Sequence, residues 1–392
     1  MTTLPLNEPG FLQKLLYRFR KQEEFTADYS PLYTHFFGTI ANWLEKDEAD
    51  ALVTWLISAS NGRNAFDIPL LLAAGLHRDI LLHEPEVQAL AAYYPSVGGE
   101  RPSADPHFST ALYQAILNRR EALATFIQSA TVQTNETGRG FCWLLPLYYT
   151  NWTAVHLVDL GASAGLNLAA NLRAYRFVDE KTQQTLLDIG SATLTQFITY
   201  CRNQLPNYSI TQLPSILSRI GCDIQPFLLE TAVQENTLAA YIWPDQSSRH
   251  QRLREGIAAF HTVNQTDAPV QVHAVTLPDD LPSFLVNQMP TDKAPIVFYN
   301  TYITQYLPQK GLILRQHMTD WATSQSRPIL WLQWEPERNG QNAPEYGWLK
   351  WTADLWQDQT HQQFHLAWVH PHGTHLQFET GFQHWIVHFS SP

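Results

Sequence analysis

Two textures of apolar and polar positions divide the chain. Through roughly the first 150 residues the apolar positions recur at helical spacing. From Phe108, the residues Leu112, Ile116, Leu123 and Ile127 fall close to one face of a helix, which predicts a single long amphipathic helix up to about Thr131. Asp67–Leu82 is dense in Leu, Ile and Ala and reads as a buried helix. Ser30-Pro31 pairs a good N-cap with proline at the first helical position, where its missing N–H costs nothing. No alternating strand pattern of any length occurs in this part.

From Thr153 the texture becomes strand, loop, helix. Thr153–Leu160 predicts a buried strand and Gly165–Tyr175 a helix, followed by a polar, irregular insertion at about 177–212 with one strand at Gln196–Cys201. Ser215–Ile224 predicts a parallel strand, and the helix after it carries Trp243, Arg249, Arg252 and Leu253. Val270–Val275, Ala294–Tyr299 and Pro328–Trp334 are short apolar runs bounded by turn residues. A hairpin is expected at His365–Val369 and His375–Phe378 about Pro371-His372-Gly373, with a last strand at Phe382–Phe389. Strands alternating with helices imply an α/β fold with a mostly parallel sheet and an antiparallel C-terminal edge. The expected organisation is an all-helical N-terminal domain, 1–150, followed by a sheet domain, 151–392.

The bulk properties narrow the class. A chain of 392 residues, 44% hydrophobic and 16% charged, has ample material for large cores. Its net charge of −11 disfavours a nucleic-acid partner, because phosphate binding needs clustered Lys and Arg. Cys142, Cys201 and Cys222 are scattered, which fits a reducing compartment and suggests neither disulfides nor a zinc site. The N-terminal residues lack the pattern of a cleaved leader, and no apolar run is long enough to span a bilayer. A cytoplasmic protein with no membrane partner is the expectation. The basic stretch Lys14–Lys21 reads as the solvated face of a first helix.

The most informative segment is Val155–Asn167, VHLVDLGASAGLN. An apolar strand ends in Asp159, and Gly161, Ser163 and Gly165 then occupy alternate positions. Glycines in a tight strand-to-helix turn let backbone N–H groups approach a ligand closely. A dinucleotide fingerprint fails on spacing, because Ser163 and Leu166 stand where its second and third glycines belong. Gly161–Gly165 is literally G-x-S-x-G, the nucleophile elbow of serine hydrolases, but the helical texture upstream lacks the strands that flank such an elbow. A tight turn packing a helix on a sheet is the plain structural alternative. The third reading is the first motif of Rossmann-like methyltransferases, acid-x-Gly-x-Gly-x-Gly, matched by Asp159, Gly161 and Gly165 with Ser163 as a small substitute. Ile220–Pro226 then resembles the second strand of those enzymes, whose terminal acid, here Asp223, holds both ribose hydroxyls of the cofactor. It lies 58 positions after Gly165, where about 20 is usual in related folds.

These segments, with Gln133–Glu136, Gly138-Arg139, Arg219, Ile242–Gln246 with Arg249, Val297–Leu307 and His370–Gly373, resemble the bacterial domain-of-unknown-function family 2332, itself methyltransferase-like. The resemblance covers nearly the whole chain. It implies a Rossmann-like class I methyltransferase sheet and S-adenosylmethionine as cofactor, held by Asp159, Gly161, Ser163, Gly165, Asn167, Asp223 and Arg139. One position departs from the pattern: Val275 stands where the family usually has the acid of Gly-Asp-Ala, near the adenine.

Further candidates surround this set. Asn135 and Glu136 could face cofactor or substrate, or belong to a hydrogen-bond network. Trp243 suits a pocket wall, beside Asp245 and Arg249. Asn300, Thr301 and Tyr302 follow a strand directly, where ligands of such folds sit. Seven histidines lie between His361 and His388, but no acid or cysteine stands at a ligand spacing, so no metal is expected. Methyl transfer needs mainly in-line positioning, so no catalytic residue stands out. The reading is a methyltransferase acting on an unknown small-molecule acceptor, with the helical domain selecting it. The alternatives are a cofactor-binding or interaction protein that has lost turnover, suggested by Val275, and a G-x-S-x-G hydrolase.

Overall fold

The computed structural model describes residues 10–47, 49–132, 136–204, 210–337 and 342–390. The chain divides into two compact units, one formed by 1–135 with 229–251 and the other by 136–228 with 252–392.

Among its described residues the first unit contains helices and turns and no strand. It holds α1 (Phe11–Thr26), α2 (Pro31–Lys46), α3 (Ala51–Ala59), α4 (Ile68–Leu81), α5 (Gln88–Ala91), α6 (Phe108–Asn118) and α7 (Arg120–Ser129). Ser30 Oγ accepts the Tyr33 N–H at 3.2 Å and Pro31 opens α2, so this helix starts where its sequence signals place it. The long helix expected from Phe108 is two helices, broken at Arg119. The break leaves the Arg119 guanidinium on the fully buried Asp79 at 2.8 Å and on Glu84 at 3.1 Å. Phe19, Phe36, Phe37, Leu56, Leu72 and Ile116 are buried in one core, where apolar area removed from water stabilises the unit.

The second unit is built on an eleven-stranded sheet. After α8 (Phe141–Leu147) come β1 (Ala154–Leu160), β2 (Ala174–Asp179), β3 (Thr185–Ile189), β4 (Gln196–Cys201) and β5 (Ser215–Asp223). The chain passes through α9 (Ala232–Ala239) in the first unit and α10 (Ser247–Val263), which the division cuts at 251/252. It then forms β6 (Val270–Ala274), α11 (Leu281–Gln288), β7 (Ile296–Thr301), α12 (Leu312–Thr323), β8 (Ile329–Pro336), β9 (Leu349–Gln357), β10 (Thr360–Val369), β11 (His375–Phe378) and α13 (Thr380–Ser390). The order is β3-β2-β4-β11-β10-β9-β8-β7-β1-β5-β6. β6, β5, β1, β7 and β8 are mutually parallel neighbours, and β8-β9, β9-β10 and β10-β11 are antiparallel.

One helix shows that this sheet curls. The Phe141 ring lies 6.2 Å from Tyr175 and 5.3 Å from Phe177 on β2, 6.2 Å from Phe197 on β4, and 4.7 Å from Trp334 on β8. β2 and β8 stand five places apart, about 24 Å in a flat sheet at ~4.8 Å per strand. A single ring touches both only because the sheet is wound around α8. On the opposite face, α11 and α12 cover Val158, Leu160 and Phe298 with Phe284, Leu285, Leu314 and Met318.

Four expectations need correction. The antiparallel strands are not an edge: β4, β2 and β3 continue the sheet beyond them, so the edges are β3 and β6. The segment at 177–212 is therefore not an irregular insertion with one strand: among its described residues it contributes part of β2 with β3 and β4. Gly165–Tyr175 is a 3-10 turn, Leu166–Leu172, and the chain goes extended at Arg173 (φ −116°, ψ 170°) to enter β2. Finally, 382–389 is helix, because Phe382, Trp385, Ile386 and Phe389 share one buried face at helical spacing. No described helix is long and apolar enough to cross a membrane.

Candidate functional site

β1 lies at a topological switch point: the chain builds β5 and β6 on one side of it, then β7 and β8 on the other. The crevice beyond the carboxyl ends of such strands is where ligands of open α/β sheets bind. The turn that leaves β1 sits there. The N–H groups of Gly161 and Ala162 both donate to the Cys222 carbonyl on β5, at 2.8 and 2.9 Å, and the Gly165 N–H donates to Ala162 O at 2.7 Å. Gly161, Ser163 and Gly165 have φ of +89°, +50° and +77°. A Cβ at Gly161 would meet Ile303 Cγ2 at 2.5 Å, and one at Gly165 would meet Val270 Cγ1 at 2.8 Å, so both positions require glycine.

Ser163 is left-handed without being glycine, which costs about 1–2 kcal/mol. Its backbone is held on both sides. Asp223 Oδ2, at the end of β5, accepts the Ser163 N–H at 2.9 Å, while Ser163 O accepts the Phe227 N–H at 3.2 Å. Asp223 Oδ1 also accepts the Gln225 N–H at 3.0 Å. The structure thus brings Asp223 directly against the Gly-rich turn despite the intervening strands. Val275 is buried and donates its N–H to Asp223 O at 2.8 Å.

Asp159 lies in register with Gly221 on β5 and Tyr299 on β7. It is buried and forms no ion pair with any described residue. Burial pushes its carboxyl up to about 7; the Tyr299 hydroxyl beside it works the other way and the Asp223 charge adds to the rise. Burial likewise pushes the Tyr299 phenol far above its ordinary value, and its oxygen faces Asp159 outside strict hydrogen-bond geometry.

The end of β7 contains a brace and a strained residue. Asn300 is fully buried, donating Nδ2–H to Glu335 Oε1 at 2.6 Å and accepting the Trp331 indole N–H at 2.6 Å. Glu335, at the end of β8, also accepts the Ile303 and Thr304 N–H groups and the Thr304 hydroxyl. Burial raises its pKa, against these four hydrogen bonds. Between Thr301 and this anchor, Tyr302 has φ +65° and donates its N–H to Trp334 O at 2.8 Å. Left-handed tyrosines persist only where the surroundings over-determine them, a feature common at ligand sites.

Over the Tyr302 ring, at 5.5 Å, lies Arg139 from the 3-10 turn Thr137–Gly140. Arg139 is buried and donates Nε–H to Pro371 O at 3.0 Å. Burial lowers its pKa, while the charges of Glu136 and Glu335 push it back up. Glu136 Oε1 accepts the Gly138 N–H at 3.2 Å, and Oε2 is 3.5 Å from His372 Nδ1. Asn167 is committed to structure: its carbonyl accepts the Trp143 indole N–H, its Oδ1 accepts Arg173 Nη2–H, and its Nδ2–H reaches Glu136 O.

The structure therefore groups Asp159 at the end of β1 and Asp223 at the end of β5 around the turn of Gly161, Ser163 and Gly165, with Tyr302, Glu136 and Arg139 in the same unit. Asn300 and Asn167 support this arrangement from behind. Asn135 lies outside the described residues. Trp243, Asp245 and Arg249 belong to the helical unit. There Trp243 packs on Phe25, Tyr29 and Tyr33, Asp245 Oδ2 accepts the Ser30 hydroxyl at 2.8 Å, and Arg249 donates to Gln246. Tyr299 and Glu335 escaped sequence reasoning. Glu335 carried the same signal as Asp159, an acid closing an apolar strand.

Among the described residues, no group of three or more His, Cys, Asp or Glu could hold a metal ion. Compared with known proteins, one family profile matches residues 17–378. No curated protein and no solved structure matches the chain.

Proposed function

Since the chain belongs to a family of uncharacterised proteins conserved in bacteria, DUF2332, its chemistry rests on its site, and we propose that it is an S-adenosylmethionine-dependent methyltransferase acting on a small-molecule acceptor. The observation that carries this reading is the left-handed Gly161–Gly165 turn at the carboxyl end of β1, tied through Ser163 to Asp223 at the end of the adjacent parallel strand. In the finer reading, β6-β5-β1-β7-β8 is the parallel half of a Rossmann-like class I methyltransferase sheet.

The residues present fit the cofactor. Asp159 is a buried acid with no cation of its own, suited to an ammonium group at the cofactor's amino-acid end. The Asp223 carboxylate spends one lone pair per oxygen on backbone N–H groups and keeps others for ribose hydroxyls. Val275 presents no acid to adenine, leaving Thr276 or backbone groups to hold that end. When bound, S-adenosylmethionine supplies an electrophilic methyl group on a sulfonium. The chain's part is to position the acceptor in line and to exclude water. Tyr302 and Arg139, at the end of β7 and over it, are placed to orient an acceptor; Glu335 and Asn300 hold the Tyr302 loop still.

One observation favours a second reading: a left-handed Ser163 at the centre of Gly-Ala-Ser-Ala-Gly is the backbone state of a nucleophile elbow. Against it, a short 3-10 turn, not a long helix, follows Gly165. Labelling by a fluorophosphonate probe separates the two. A methyltransferase leaves Ser163 unlabelled and binds S-adenosylhomocysteine; a hydrolase does the reverse.

A further inference from the structure

Among the described residues, Arg173 and Arg219 are buried charges that form no ion pair. Arg219, on β5 opposite Leu157, is 6% exposed. Among the described residues its one hydrogen bond runs from Nη2 to Asn171 Oδ1 at 3.2 Å, and its Nε and Nη1 are buried with no partner there. Arg173, 7% exposed, donates Nη2–H to Asn167 Oδ1 at 3.1 Å, and its Nε has no partner. Both acceptors are neutral amides on the same 3-10 turn, Leu166–Leu172, so the turn roofs the two guanidiniums.

Two tyrosines complete the cluster. The Tyr175 hydroxyl is buried with no hydrogen-bond partner among the described residues, and the buried Tyr299 hydroxyl faces Asp159 outside strict hydrogen-bond geometry. Tyr299 interacts electrostatically with both arginines. Tyr175 Oη and Arg173 Nη2 crowd together around Gly140, 2.9 and 2.6 Å from where its Cβ would stand. Of the described acids around the cluster, Glu136 lies beside Tyr175, Asp159 beside Tyr299, and Glu255 lines the same small pocket as Arg173; none forms an ion pair with either guanidinium. Burial lowers the Arg219 pKa to about 10, while the Tyr299 phenol is pushed too high to ionise in compensation. An unpaired buried cation is among the costliest features a fold can keep, and folds keep such groups where a ligand completes them.

We infer that Arg173 and Arg219, roofed by the turn Leu166–Leu172, form a binding site for the oxyanion of a small molecule, a carboxylate or a phosphate. Guanidinium forks match the planar or tetrahedral oxygens of such groups, and the two phenols add donors. Entry requires the turn to lift, and its interruption at Ala169 (φ −100°, ψ 19°) gives it a place to bend. The inference stands on these side chains and is independent of the cofactor reading.

The test is thermal unfolding of the full chain in millimolar inorganic phosphate, with ionic strength held constant by chloride. A ligand of the native state raises Tm in step with its concentration. Wild type should gain several degrees, rising with the logarithm of phosphate concentration above Kd, and Arg219→Met should respond to neither phosphate nor malonate. In chloride buffer without phosphate or malonate, Arg219→Met should melt no lower than wild type, because it removes an uncompensated charge. A purely structural arginine predicts a lower Tm and an unchanged phosphate response, and would overturn the proposal. Should Arg219→Met fail to fold, crystals of wild type soaked in selenate must show anomalous density between Arg173 and Arg219; ordered water alone there is equally fatal. Competition separates the anion's source. If S-adenosylhomocysteine displaces phosphate but 5′-methylthioadenosine does not, the anion is the cofactor's own carboxylate; if neither does, it belongs to another metabolite.

Discussion

Replacing Asp223 by alanine perturbs the turn and the ligand together, and the structure sets different sizes for the two effects. The carboxylate accepts the Ser163 N–H at 2.9 Å and the Gln225 N–H at 3.0 Å. Hydrogen bonds to a charged group contribute about 1.5–3 kcal/mol each, but Asp223 is only half-buried and water can replace its oxygens, so a net loss of ~1–2 kcal/mol is expected. For a unit of this size that lowers Tm by roughly 2–8 °C. Asp223→Asn keeps one acceptor oxygen and should lose about half as much. If the carboxylate also takes the ribose hydroxyls, S-adenosylhomocysteine binding weakens a further ten- to hundredfold, about 1.4–2.8 kcal/mol. Scanning fluorimetry without ligand and calorimetry with it measure the two separately. An unchanged apo Tm would refute the claim that Asp223 holds the turn. A lowered Tm with unchanged affinity would refute its role in binding.

Asp159 should make stability and affinity depend on pH in opposite directions. Its folded pKa of about 7 lies above its unfolded value, so its contribution to stability is full below about 4 and is lost as pH rises to about 7. Asp159→Asn, a neutral mimic of the protonated acid, should melt close to wild type near pH 4 and increasingly above it as pH rises to about 7. Affinity for S-adenosylmethionine should rise roughly tenfold per pH unit up to about 7 in wild type and stay flat in Asp159→Asn; parallel profiles would remove Asp159 from the site. Ser163→Gly relieves a left-handed serine and should raise Tm slightly while leaving S-adenosylhomocysteine binding intact, where a nucleophile would lose all hydrolysis. Phe141→Ala empties the point where β2, β4, β8 and β9 converge and should cost about 3–5 kcal/mol; a denaturant midpoint near wild type would contradict the curled sheet.

Sequence reasoning succeeded where a feature is local. The turn after β1 is legible because its glycines are demanded by left-handed φ and by Ile303 and Val270 close by. Asp223 is legible because it closes an apolar strand. Strand type failed where local pattern and tertiary position part. Phe382–Phe389 carries histidines between its aromatics, which imitates alternation, yet its buried residues follow helical spacing. β3 is half-exposed at the edge of the sheet, so Thr185–Ile189 shows little apolar patterning. The helix from Gly165 failed because Asn167 and Asn171 spend their side chains on Arg173 and Arg219, a long-range commitment that no local pattern announces. Tyr302 was picked out for its place after a strand; the Asn300–Glu335 brace that holds it depends on two strands meeting in register.

The central claim is that the crevice beyond β1 and β5 binds S-adenosylmethionine, and titration calorimetry of the purified wild-type chain tests it most directly. With S-adenosylmethionine and S-adenosylhomocysteine in separate runs, the account predicts one site per chain for each, weakened by Asp223→Ala. Failure of the wild type to bind either compound at millimolar concentration would contradict it.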